Sequence, residues 1–66
     1  MEVMINGTPR QVPEQTSLDR AVSLISSSVT GIAVAVNGEV VRRASWPGHQ
    51  LSPGDEIEVL TAVQGG

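Results

Sequence analysis

Few residues in this chain can do chemistry, and their spacing fits no catalytic group set. Cysteine, tyrosine and lysine are absent, which removes thiolate, phenolate and ε-amine nucleophiles at once. His49 is the one imidazole, with no carboxylate at a motif spacing from it. Neither a catalytic triad nor a four-ligand zinc site can be assembled, so no catalytic and no metal-ligating residue is expected. Asp55, Glu56 and Glu58 crowd three carboxylates together, yet Glu56 and Glu58 share one side of a two-residue period and read as the solvated face of a strand. The Asn6-Gly7 and Asn37-Gly38 pairs lack the glycine spacing of a phosphate cradle.

What remains is the last stretch, Gln64-Gly65-Gly66. Glycine has no Cβ and leaves the backbone free of steric bulk, so residues 64–66 read as a thin, flexible tail carrying an α-carboxylate. With seven glycines among 66 residues, a Gly-Gly pair at this position arises from composition alone in about one chain in a hundred. The pair is either a frayed end or a reactive one. A carboxylate is a poor electrophile until it becomes a mixed anhydride, which takes ATP and a separate enzyme. In the reactive case this chain is a substrate and not an enzyme.

The rest of the chain must position that end. Glu2-Val3-Met4-Ile5 alternates weakly and runs into Asn6-Gly7, a pair that tolerates the positive φ of a type I′ hairpin turn. Pro9–Val12 is the expected return strand, at a sheet edge because its flanking prolines lack an N–H. Thr16 and Asp19 are spaced as a capping box that starts a helix near Ser17. Leu18, Ala21, Val22 and Ile25 then form one helical stripe, and the serines at 26–28 end it. Ile32, Val34 and Val36 alternate with glycine and alanines, which gives a strand with one bulky and one shallow face. Asn37-Gly38 repeats the turn signal, and Glu39–Arg42 is its return strand. Arg43–Ser52 has no period and is expected as an irregular connection, with Trp46 as an apolar plug beneath it. Ser52-Pro53-Gly54-Asp55 is a turn, and Glu56–Val63 alternates again, with Leu60 and Ala62 opposite Ile57, Val59 and Val63. Leu60, Ala62 and Val40 or Val41 are candidates for an apolar docking patch on the sheet face away from the helix.

Sixty-six residues make one small domain, here 1–63 followed by the tail at 64–66. The element order, two hairpins joined through one helix and a final strand, is that of an α+β domain. A mixed sheet of four to five strands with one helix packed across one face is expected, and the β-grasp is one of the topologies that share this order. A net charge of −3 and a single aromatic residue suit no nucleic acid, which needs a basic face or stacking rings. Met1–Asn6 is too short for a signal peptide and no apolar run approaches a membrane span, so a cytoplasmic chain with no membrane contact is expected.

Taken together, these residues resemble the ThiS-type sulfur carriers of thiamine biosynthesis, over essentially the whole chain. Val34-Ala35-Val36-Asn37-Gly38-Glu39-Val40-Val41 resembles the third strand and turn of that family, Trp46 its loop tryptophan, Gly54-Asp55 its last turn, and Ala62-Val63-Gln64-Gly65-Gly66 its terminal signature. One departure stands out. Arg42 precedes Arg43 where the family often has a proline before a basic residue.

The resemblance implies a ubiquitin-like β-grasp and a carrier mechanism. An E1-like adenylating enzyme would use ATP to convert the Gly66 carboxylate to an acyl-adenylate, and sulfur from a cysteine desulfurase or its equivalent would leave a Gly66 thiocarboxylate. Thiazole synthase would receive that sulfur. Gly65 and Gln64 would thread the enzyme's channel, while Leu60, Ala62 and Val63 would dock the partners. The chain itself would bind no cofactor and would be a monomer when free. The absence of cysteine fits, because no protein thiol competes by disulfide exchange. The absence of lysine fits too, since an activated terminus meets no ε-amine on its own kind. Two other readings stay open here: a related carrier that supplies sulfur for molybdopterin or another product, and a non-reactive ubiquitin-like interaction module.

Overall fold

The computed structural model describes residues 1–25 and 31–61. Both Asn-Gly pairs form the turns their composition demands. Asn6 and Gly7 take φ of 50° and 80°, Asn37 and Gly38 take 52° and 85°, the left-handed values at both central residues of a type I′ turn. The first turn joins β1 (Glu2–Ile5) to β2 (Thr8–Gln11), and the second joins β3 (Ile32–Val36) to β4 (Glu39–Val41). Both return strands are shifted or trimmed at an end relative to the sequence expectation. β2, which contains Pro9, lies at the sheet edge as expected.

β5 (Glu56–Thr61) is the middle of the sheet, whose order is β2-β1-β5-β3-β4. It runs parallel to β1, with Ile5 opposite Ile57, and antiparallel to β3, with Val34 opposite Val59. The sheet is therefore mixed and five-stranded, with α1 (Leu18–Ile25) packed across one face. This is the ubiquitin-like β-grasp. The alternation in each strand sends Val3, Ile5, Val34, Val36 and Ile57 into one core with Leu18, Ala21 and Val22 of the helix. Ile25 completes the helical stripe from the core's margin. The expected helix end at 26–28 lies outside the described residues.

Two local expectations are corrected. The helix is not opened by a Thr16–Asp19 capping box. Ser17 is the cap: its carbonyl accepts the first helical bond from the Ala21 N–H at 3.1 Å, and its hydroxyl bonds the Asp19 carboxylate. Thr16 is buried and donates its hydroxyl back to the Pro13 carbonyl. Two neighbouring hydroxyl residues compete for such a role, and burial of Thr16 decides it. The second correction is that the segment after β4 is not irregular throughout, because Arg43–Gly48 forms a 3-10 helix. Trp46 organises it. The residue is 3% exposed and its indole N–H donates to the Val41 carbonyl at 2.9 Å. After it, His49 and Leu51 bridge to the start of α1 and the residues before it, with Leu18 N–H to His49 O at 2.8 Å and Leu51 N–H to Thr16 O at 3.0 Å.

The Ser52–Asp55 turn forms as read, with Gly54 at φ 84° and the Asp55 N–H donating to Ser52 O at 3.1 Å. Among the described residues no helix is long and apolar enough to cross a membrane. Because Trp46 fills the space under the 3-10 helix, Trp46→Ala should cost about 3–5 kcal/mol of folding stability. Chemical denaturation checks this. A loss below about 1 kcal/mol would show that the loop collapses onto the vacated space.

Candidate functional site

The alternation that buries Ile57 sends Glu56, Glu58 and Leu60 to the opposite side of β5, where all three are exposed. Leu60 is 63% exposed although it is a large apolar side chain. Its cross-strand partner on β3 is Ala33, while Ala35 lies between Glu58 on β5 and Val40 on β4. Val40 is 76% exposed. The open face thus carries two protruding apolar side chains with a floor of two alanines between them, and carboxylates along one flank. Val40 is the β4 member of the patch. Val41 pairs with Val34 and packs against the core instead.

The expected apolar docking patch is therefore half visible. Leu60 and Val40 stand on one face as the alternation required, and Ala62 and Val63 lie outside the described residues. So do Gln64, Gly65 and Gly66. The other candidate chemistry disperses. His49 is half-buried beside the 3-10 helix and contributes its backbone carbonyl to Leu18. Asp55 is occupied locally, with one carboxylate oxygen accepting the Ser52 N–H at 2.8 Å and the other the Asn37 side-chain amide at 3.0 Å. Among the described residues no group of three His, Asp or Glu side chains is gathered for a metal ion.

The two turn asparagines do more than accept positive φ. The Asn6 carboxamide takes the Val59 N–H at 2.8 Å and donates to the Val59 carbonyl at 3.2 Å. The Asn37 carboxamide takes the Glu56 N–H at 3.0 Å. Sequence reasoning places both residues in turns and misses these bonds, because the Val59 partner of Asn6 is 53 residues away. The only local signal is the choice of Asn over Gly or Asp before Gly, which the turn alone does not require.

Comparison with known proteins places this geometry. The profile of the ThiS family matches residues 3–66. The chain is 33% identical over 64 residues to the sulfur carrier protein ThiS of Thermus thermophilus, covering 97% of this chain and 98% of that one. It is 24% identical over 66 residues to the sulfur carrier protein ThiS of Escherichia coli, with both chains covered in full. Its fold matches the crystal structure of the thiamine biosynthesis protein ThiS from Geobacter metallireducens with a TM-score of 0.86 at 29% identity, again over all of both chains. The solution structure of the Geobacter protein gives a TM-score of 0.79 at 28% identity, over all of this chain and 88% of that one.

Leu60 contributes to the face and little to the core, so Leu60→Glu should shift folding stability by less than about 1 kcal/mol. Ile57→Glu, three residues earlier on the buried side, should abolish cooperative unfolding. Thermal melts of the two variants check the assignment of faces, and comparable losses in both would refute it.

Proposed function

The chain belongs to the ThiS family, and on that premise we propose that it is a sulfur carrier of thiamine biosynthesis whose Gly66 carboxylate carries the sulfur. The observation behind this reading is the family match, which spans residues 3–66, together with relatives named as sulfur carriers.

The chemistry follows from the carboxylate. Held by an E1-like adenylating enzyme, a Gly66 oxygen attacks the α-phosphorus of ATP, the bond to pyrophosphate breaks, and an acyl-adenylate forms. A persulfide, supplied by a cysteine desulfurase or its equivalent, attacks the acyl carbon and AMP leaves with the bonding pair. A thiol then reduces the resulting acyl disulfide and frees the Gly66 thiocarboxylate. Thiazole synthase takes the sulfur from it. The chain supplies no acid, base or nucleophile to its partners beyond this one group, so it acts as a substrate.

Gln64 and Gly65 precede the reacting carbonyl, and the missing Cβ of Gly65 and Gly66 lets both enter a channel that side chains would block. Leu60 on the open face, followed by Ala62 and Val63, is the docking stretch. The carboxylates of Glu56 and Glu58 beside it favour a partner surface with an apolar centre and a basic rim. Chain and acceptor work in the cytoplasm, where ATP is available.

Intact mass after incubation with ATP, a sulfur donor and the adenylating enzyme tests the reading. The full chain should gain the mass of one oxygen-for-sulfur exchange, and a chain lacking Gly66 should gain none. Gly65→Val and Gly66→Val should keep the unfolding midpoint and lose loading. Leu60→Glu should weaken binding to the adenylating enzyme about tenfold. An unchanged full-length mass, or loading of the chain without Gly66, would overturn the assignment.

A further inference from the structure

We propose that Asn6 is a positioning residue for the docking face: its carboxamide clamps β5 at Val59 and so sets the placement of the exposed Leu60 beside it. The inference rests on the carrier reading above and goes beyond it in assigning a role to a residue at the opposite end of the sequence.

The clamp stands where the β1 ladder runs out. The Met4 N–H donates to Asp55 O, just before β5, and the Asn6 N–H to Ile57 O within it, both at 2.9 Å. At Asn6 the chain turns away into Gly7, so no further backbone group of β1 reaches Val59. The Asn6 side chain replaces it, offering one acceptor and one donor to the N–H and C=O of the same residue at 2.8 and 3.2 Å. A primary amide reproduces the donor and acceptor pair of a peptide, which is why Asn fits here. Asp would set a carboxylate oxygen against the Val59 carbonyl, and Gly would leave that edge of Val59 to water.

Asn37 provides an internal comparison. It occupies the same place in the same kind of turn, with φ 52° against 50° for Asn6. Its carboxamide also grips β5, but at the first residue of the strand, by accepting the Glu56 N–H at 3.0 Å. One asparagine thus holds the start of β5 and the other its later half, one residue before the exposed Leu60. Loss of either bond set weakens the fold. Only loss of the Asn6 set loosens the part of β5 that meets partners.

The test compares Asn6→Gly with Asn37→Gly, because glycine keeps the left-handed turn while deleting the carboxamide, and its added backbone freedom is common to both variants. The full chain is assayed for ATP-dependent thiocarboxylate formation, well below the unfolding midpoint of each variant. Asn6→Gly should raise the KM for the carrier about tenfold with kcat nearly unchanged, as expected for removing two exposed hydrogen bonds that hold the docking stretch. Asn37→Gly should lower the unfolding midpoint and leave KM as in the wild type. In the free protein, the Val59 amide should exchange with solvent about tenfold faster in Asn6→Gly only. If Asn6→Gly does not fold, Asn6→Asp, which keeps the acceptor for the Val59 N–H, replaces it in both measurements. Wild-type loading with equal KM for the two glycine variants overturns the proposal while leaving the carrier reading intact. A wild type that never loads overturns the carrier reading, and amide exchange then still decides whether Asn6 holds Val59.

Discussion

The first strand of the chain lies beside the last, and the parallel pairing of β1 with β5 is the contact on which the remaining structure depends. It puts β5 in the centre of the sheet, bonded on one side to β1 and on the other to β3. The two hairpins then flank it, and α1 has one face of the five strands to cover. Ile57, 1% exposed, sits where β1, β5 and β3 meet. Without that pairing each hairpin would keep its own ladder but neither would have a core, since an isolated two-stranded unit is marginal in water.

Burial on one side of β5 also determines what the other side can be. A strand alternates faces at every residue, so fixing Ile57 inward fixes Glu58 and Leu60 outward. Leu60 and Val40 stay exposed over a floor of alanines because the single helix covers the opposite face. Under the proposed carrier function this separates two tasks. The folded body offers a surface by which partners recognise the chain, and the terminal glycines carry the group that reacts. A chain without lysine or cysteine suits that division, because it offers neither an amine to its own activated end nor a thiol to its own sulfur.

Much of this could be read from local sequence, and the failures share a cause. The Asn-Gly turns, the alternation of β3 and β5 and the Leu18, Ala21, Val22 stripe are local signals, and each held. Strand order is not local: nothing within Glu2–Ile5 announces that it will pair with residues more than 50 positions later. The 3-10 helix at Arg43–Gly48 left no period to detect, being six residues organised by one indole bond to Val41. The capping error set Thr16 against Ser17, and burial chose between them. Asn6 and Asn37 were legible as turn formers, while their bonds to β5 were not, because those exist only after the sheet has assembled. At the candidate site, Leu60 follows from alternation, while the Gly66 assignment comes from its lack of a side chain and from resemblance and lies outside the described residues.

The central claim is that the α-carboxylate of Gly66 is the group that attacks ATP. ATP–pyrophosphate exchange by the adenylating enzyme measures that step before any sulfur is involved. The chain ending in a free carboxylate is predicted to support exchange, and the same chain ending in a C-terminal amide to support none. Exchange with the amidated chain, or its absence with the free acid, would contradict the account.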